Sequence, residues 1–249
     1  MSIKRTVLRE YYLWVGYPKA RLRWLFRGRH SPIVRKKFKF GGVEFPYFVH
    51  PYNSTWTNER AVEIPVVLHF LGASVPSPML EVGNVMSHYF DLDHEVVDLF
   101  EKCRYRPVIN CDLLEFNTSL RFKRIISIST IEHIGWDEKP RAEEKVVNAF
   151  TKLRSLLTSD GKVIVSFPVG YNHSLDQLVR ESSIDNVRYQ CLKRISADNQ
   201  WVETDLQEAL NCKYGYPFMN GNAIVFIYLS GDSRSHSDQM DSSNTLQPA

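Results

Sequence analysis

The chain has 249 residues, enough for one substantial α/β domain with its own core and short for two. Its 43% hydrophobic and 24% charged residues suit a globular protein, and no run approaches the roughly 20 apolar residues that cross a bilayer. The net charge of +3 is uneven: residues 1–40 hold twelve Lys/Arg against one acid, Glu10, which makes +11 there and −8 over the remainder. A basic arm on a mildly acidic domain implies an anionic partner, either peripheral contact with an anionic membrane or nucleic-acid phosphate, unless it is a solvated face with none. The beginning of the chain carries no apolar core or cleavage site of a signal peptide. Cys103, Cys111, Cys191 and Cys212 have neither zinc-site nor disulfide-framework spacing. Both features lead to the expectation of a cytoplasmic protein with reduced thiols.

Residues 3–29 interleave aromatics with bases. Pro18 suits a first helical position and Gly16 and Gly28 suit helix ends, so two short amphipathic helices are expected. KFKFGGVEFPYF reads as a hairpin turning on Gly41-Gly42. TNERAVEIPVVLHFLG, residues 57–72, reads as a helix capped by Thr57 or Asn58 and kinked or broken at Pro65. From residue 77 strand and helix are expected to alternate. Short β-branched runs at Met79–Val82, Val96–Val97, Val108–Ile109, Ile125–Ile128 and Val163–Phe167 suit strands of a parallel sheet. A helix precedes the fifth run, with Asp160-Gly161 as the turn between them, and another lies near 174–182. Strands at Val187–Ile195 and Ala223–Leu229 flank a short helix near Thr204–Leu210. The divisions are residues 1–56 as a basic extension, 57–230 as the domain, and 231–249 as a Ser-rich disordered tail.

In an open α/β sheet, ligands sit beyond the carboxyl ends of the strands. Each expected strand end carries a polar residue suited to a nucleoside. Glu81 and Gly83 leave the first, and a glycine lets backbone approach a ligand closely. Asp98 ends the second, 17 positions after Glu81, near the spacing at which an acid grips ribose hydroxyls. Asp112 ends the third, where it can accept from an adenine amino group while Leu113 packs on the ring. SISTIEHIGWDE and FPVGYN follow the fourth and fifth. Taken singly, such acids are more often helix caps or turn residues.

LEVGN, Asp98, CDLLEF, STIEHIG and LLTSDGKVIVSFPVG together resemble the motifs of the class I S-adenosylmethionine-dependent methyltransferases over about residues 77–230. The resemblance implies a Rossmann-like three-layer sandwich, with a mostly parallel seven-stranded sheet and an antiparallel hairpin at its edge. It also implies S-adenosyl-L-methionine as cofactor. Glu81 and Gly83 would face its methionine part, Asp98 its ribose, Asp112 and Leu113 its adenine, and Ser129, Thr130 and Glu132 would lie along the methyl-transfer cleft. Two glycines usual in the family are Val85 and Ser87 here, so the loop must turn without them.

Methyl transfer is a displacement at a sulfonium carbon, so the protein's task is to orient the acceptor and, for an oxygen, to supply a base. His133 is the first candidate, against the alternative that it packs on the next helix. Glu132-His133 without further partners makes no metal site. Arg60 and Glu63, Tyr171 and Asn172, and Arg194 and Trp201 are candidate acceptor contacts. Against this, Arg60–Glu63 can be a surface ion pair and Trp201 a core residue. The expected activity is methyl transfer to a small polar acceptor such as a saccharide oxygen. The competing readings are an RNA methyltransferase that uses the basic arm and a non-catalytic Rossmann-like binding module.

Overall fold

The computed structural model describes Tyr11 and residues 18–103 and 105–231. The first expected N-terminal helix and the tail beyond residue 231 lie outside these residues. Helix α1 (Pro18–Phe26) starts on its proline, which surrenders no hydrogen bond at that position. Strands β1 (Lys37–Phe40) and β2 (Val43–Pro46) form the expected hairpin, with φ of +58° at Gly41 and +78° at Gly42. Two consecutive positive angles make the mirror-image turn that matches strand twist. Phe38, Phe40 and Phe45 point inward, and Phe40 meets Phe226 of the main sheet at 4.9 Å between ring centroids.

Helix α2 (Arg60–Leu71) runs through Pro65 without breaking. Proline denies an N–H to the carbonyl four residues earlier. That carbonyl, on Ala61, accepts instead from the Phe48 amide at 2.8 Å, so the group stays paired and the helix continues. Asn58 acts at its start by accepting from the Arg60 amide at 3.1 Å.

The main sheet has seven strands: β3 (Met79–Val82), β4 (Glu95–Val97), β5 (Phe122–Ile128), β6 (Leu157–Pro168), β7 (Val187–Arg194), β8 (Trp201–Thr204) and β9 (Ala223–Ser230). Their order is β4-β3-β5-β6-β9-β7-β8. The first four run parallel. β9 lies antiparallel between β6 and β7, and β7–β8 is an antiparallel edge hairpin. Alternate residues of each strand face two cores. Leu80, Ile125, Val163, Val165 and Val225 pack with helices α3 (Lys145–Ser155) and α4 (His173–Arg180) on one side. Met79, Ile126, Ile164, Ile224 and Phe226 pack with α2 and the N-terminal hairpin on the other. The result is the Rossmann-like sandwich, and no described helix is long and apolar enough to cross a membrane.

Four expectations need correction. Strand and helix do not alternate at first. Among the described residues, the β3–β4 and β4–β5 connections hold only turns, bends and the 3-10 turn Met86–His88. Val108–Ile109 is not a strand but a single parallel bridge, Val97 to Ile109. Asp160-Gly161 makes no separate turn; it falls inside β6, where the pairing with β5 shifts between Phe122–Leu157 and Arg124–Lys162. Arg194 and Trp201, expected as acceptor contacts, lie instead at the end of β7 and the start of the edge strand β8, and the expected short helix before β9, α5, spans Leu206–Ala209.

Helix α4 is capped by Asn172, whose Oδ1 accepts from the Leu175 amide at 3.0 Å. Asp176 in its first turn accepts from the Gly170 amide at 2.9 Å, and burial pushes its carboxyl up to about 6. A raised carboxyl favours the protonated fold. Its stabilisation is complete below the ordinary carboxylate range and is lost as pH climbs through about 6. Asp176→Asn keeps an acceptor for Gly170 without the charge. It is expected to raise the melting temperature at about pH 8 and to flatten its decline between about pH 4 and pH 6, with an unchanged slope counting against this assignment.

Candidate functional site

The ends of β3, β4 and β5 open into one cleft of about 410 Å³, which Gly83, Asp98, Asp112, Leu113, Ser129, Thr130, His133 and Arg60 all line. Gly83 has φ +86°, and a Cβ there would stand 2.8 Å from Thr130 Cβ and closer still to its hydroxyl. Only glycine lets β3 turn away while Thr130 closes against it.

Glu81 stands apart from the cleft. It is fully buried; Oε1 accepts from the Val85 and Met86 amides at 2.9 and 2.7 Å, and Oε2 lies 2.7 Å from His94 Nε2. This carboxylate shapes the loop from below, which explains how the chain turns with Val85 and Ser87 in place of glycines. Asp98 lines the cleft but is largely engaged: Oδ1 accepts from the Phe100 and Glu101 amides at 2.9 and 2.7 Å, and Oδ2 from Asn84 at 3.2 Å. Of about four acceptor positions, one stays free for a hydroxyl, so a two-hydroxyl grip by this carboxylate alone is not available. Asp112 accepts from Lys145 Nζ and the Leu114 amide, both at 2.9 Å. Burial pushes its carboxyl up, but these two bonds outweigh it and leave it below the usual range.

Ser129 has φ +37°, an unfavourable angle for a side-chain-bearing residue. Its amide bonds the Ser166 carbonyl at 2.8 Å and its hydroxyl bonds Glu63 Oε1 at 2.7 Å. Ser166 Oγ reaches the same Glu63 oxygen at 2.7 Å, while Arg60 Nη1 pairs with Oε2. Glu63 is therefore no surface residue; its side chain is 0% exposed and that of Arg60 12%. It ties α2 to the ends of β5 and β6 and leaves Arg60 at the cleft. Beside them, Glu59 is buried, and burial and then Glu63 push its carboxyl up. Burial likewise holds Glu132 well above the ordinary range, with Oε2 lacking a hydrogen-bond partner. Glu132 does not line the cleft.

At the cleft's edge, His133 Nδ1 lies 2.6 Å from Asp137 Oδ2, and Tyr171 donates its hydroxyl to the same carboxylate at 3.0 Å. A carboxylate only accepts, so Nδ1 carries the proton and Nε2 presents its lone pair. Burial, then Asp137, pushes the Tyr171 phenol up to about 12. The other expected acceptor contacts are structural. Asn172 caps α4 and donates to the Glu132 carbonyl at 2.8 Å. The Arg194 guanidinium bonds the carbonyls of Thr57, Ser196, Ala197 and Met219. Trp201 is 2% exposed and donates to Asn199 at 2.9 Å, so it belongs to the core.

The sequence reading missed one wall. Tyr52 stacks on His88 at 4.3 Å, Tyr105 donates to His88 Nδ1 at 2.6 Å, and Glu101 lies 2.7 Å from Nε2. Tyr52 and Asn53 come from the segment ahead of α2, where Asn53 and Ser54 take φ of +56° and +47°. No motif marks such a turn; the available signal was the density of Tyr, Asn and His around residues 47–53.

Known structures similar to this chain include methyltransferases. The N-methyltransferase NodS from Bradyrhizobium japonicum WM9, solved with S-adenosyl-L-homocysteine, is 12% identical over 61% of this chain and 76% of its own, with a TM-score of 0.39. The glycopeptide N-methyltransferase MtfA, solved with S-adenosyl-L-methionine, is 13% identical over 65% and 90%, at 0.39. A SAM-dependent methyltransferase from Archaeoglobus fulgidus is 13% identical over 61% and 84%, at 0.40. No family model and no curated protein matches the chain. At such distances the likeness carries no argument, and the fold and site rest on their own geometry.

Proposed function

We propose that the cleft binds S-adenosyl-L-methionine and that the protein transfers its methyl group to a hydroxyl of a small polar acceptor of the saccharide type. The observation that carries this reading is the convergence of Gly83, Asp98 and Thr130 from the ends of β3, β4 and β5, with Leu113 of the β4–β5 connection, on one cleft of about 410 Å³, a volume suited to a nucleoside-sized ligand. The residues present fit such a group. Gly83 offers bare backbone, Asp98 Oδ2 keeps one acceptor position for a ribose hydroxyl, and Leu113 gives an apolar face for a purine. When bound, the cofactor supplies a methyl group already attached to a good leaving group. His133 Nε2 then takes the acceptor's proton, and Asp137, bonded to Nδ1, holds the ring in orientation. Arg60, fixed by Glu63, also lines the cleft and orients the acceptor.

Titration calorimetry with S-adenosyl-L-homocysteine tests the first half. Saturable heat is expected, together with stabilisation of about 2.7 kcal/mol at a hundredfold excess over Kd. Absence of both at millimolar ligand would favour a non-catalytic binding module. Once an acceptor is found by radiolabelled transfer to a saccharide panel, His133→Ala is expected to lower kcat by about 10²–10⁴ with little change in homocysteine-product affinity. A change confined to KM would remove His133 from the proton transfer.

A further inference from the structure

Helix α1 carries its apolar side outward. Leu22, Leu25 and Phe26, spaced so that they share one face, are 56%, 46% and 76% exposed. Trp24, on the opposite face, packs against Trp56 at 5.7 Å between ring centroids. Buried Gly28 lies directly beneath, where a Cβ would stand 2.8 Å from the Trp56 ring. The tryptophan pair and this glycine fix the rotation of the helix, so its outward apolar stripe is set by packing.

The charge around the stripe has one sign. Residues 18–40 contain nine Lys/Arg and no acid. Arg23, Arg27, Arg29, Arg35, Lys36, Lys37 and Lys39 are exposed, and of these Lys37 meets Glu44 at 2.7 Å. A second copy of the chain would bring nine like charges against these. Nucleic acid would engage the guanidinium groups and leave the apolar stripe in water. An anionic bilayer satisfies both, with Leu22, Leu25 and Phe26 below the headgroups and the arginines among them. We propose that the outward face of α1 seats the protein on an anionic membrane surface.

The position of the helix gives this docking a use. Trp56 belongs to the turn Tyr52–Thr57, and Tyr52 and Asn53 of that turn line the cleft. Seating α1 brings the cleft's N-terminal wall to the bilayer, so an acceptor carried on a lipid meets the site at the surface. That delivery rests on the methyltransferase reading; the docking needs no cofactor.

Co-sedimentation of the full chain with vesicles tests it without cofactor. Binding is expected to vesicles containing phosphatidylglycerol and not to phosphatidylcholine alone. Leu22→Glu with Phe26→Glu is expected to weaken binding by about tenfold or more, and Arg23→Glu with Arg27→Glu to do the same. Unchanged melting curves would show that both variants fold, since all four positions are exposed. Equal binding to both vesicle types, or an affinity that survives Leu22→Glu with Phe26→Glu, overturns the proposal. So would the absence of vesicle binding beside a single-stranded RNA affinity that survives the same change, which would assign the surface to nucleic acid. The homocysteine-product titration fails or succeeds independently of these outcomes.

Discussion

Glu63→Ala is expected to destabilise this protein strongly. It removes the shared acceptor of Ser129 Oγ and Ser166 Oγ and leaves the Arg60 guanidinium, 12% exposed, without its partner. Burial alone would pull the arginine toward neutrality, but Glu63 and then Glu59 outweigh it and hold the charge in place. Breaking such a pair from one side costs about 3–5 kcal/mol because the remaining charge stays buried. For a chain of this size that is a fall in melting temperature of roughly 6–20 °C. Glu63→Gln keeps an oxygen for the two hydroxyls and should fall between. Arg60→Met combined with Glu63→Leu should recover part of the loss, since no charge is then stranded. If Glu63→Ala melts within a degree or two of the parent, the buried pair does not hold α2 to the sheet. A second consequence concerns Ser129, whose positive φ costs about 1–3 kcal/mol and needs its surroundings to enforce it. Without Glu63 the residue can relax, and the cleft floor changes shape.

Gly83→Ala should damage the cleft more than the fold. A side chain at φ +86° is strained by about 1–3 kcal/mol, and the new methyl overlaps Thr130. Relief requires Thr130 or the loop to move into the cleft. The expected result is a melting temperature a few degrees lower and an affinity for S-adenosyl-L-homocysteine reduced at least about tenfold. Thr130→Ala added to it should restore only part, because the Cβ at 2.8 Å remains. Val85→Gly is the matched control. It replaces a residue where a glycine is usual, yet the loop is already shaped by Glu81, so affinity should change little. An affinity of Gly83→Ala equal to the parent's would mean that the ligand approaches from elsewhere.

Features governed by short-range rules were legible in the sequence. Gly41-Gly42 announced the hairpin because both turn positions need positive φ. Met79–Val82 was readable as a strand because three of its four residues are apolar and a glycine follows it. The helix before β6 showed in the spacing of Val146, Phe150 and Leu153, all of which are buried. What the sequence hid was direction. Glu81 sits at a strand end as expected, but strand alternation turns its side chain to the face of Met79, where His94 and two loop amides receive it. Trp201 and Arg194 are polar or aromatic residues near the right edge, and only the pairing of β7 with β8 shows that they serve packing and carbonyl capping. Asp98 was read from its spacing as a free ligand carboxylate; the compact turn at residues 98–101 absorbs most of its capacity. The crossover helices expected between β3 and β5 are not found among the described residues, and Leu99, Phe100 and Ile109 of those segments stay exposed.

The origin of the cleft's walls has an evolutionary corollary. In this sandwich one wall of the nucleoside-sized recess is supplied by Tyr52 and Asn53, which precede the sheet, beside the segments threaded between neighbouring strands. Variation around Tyr52 and Asn53 can therefore remodel what the recess admits without disturbing strand register, which separates the inheritance of a scaffold from the tailoring of its selectivity.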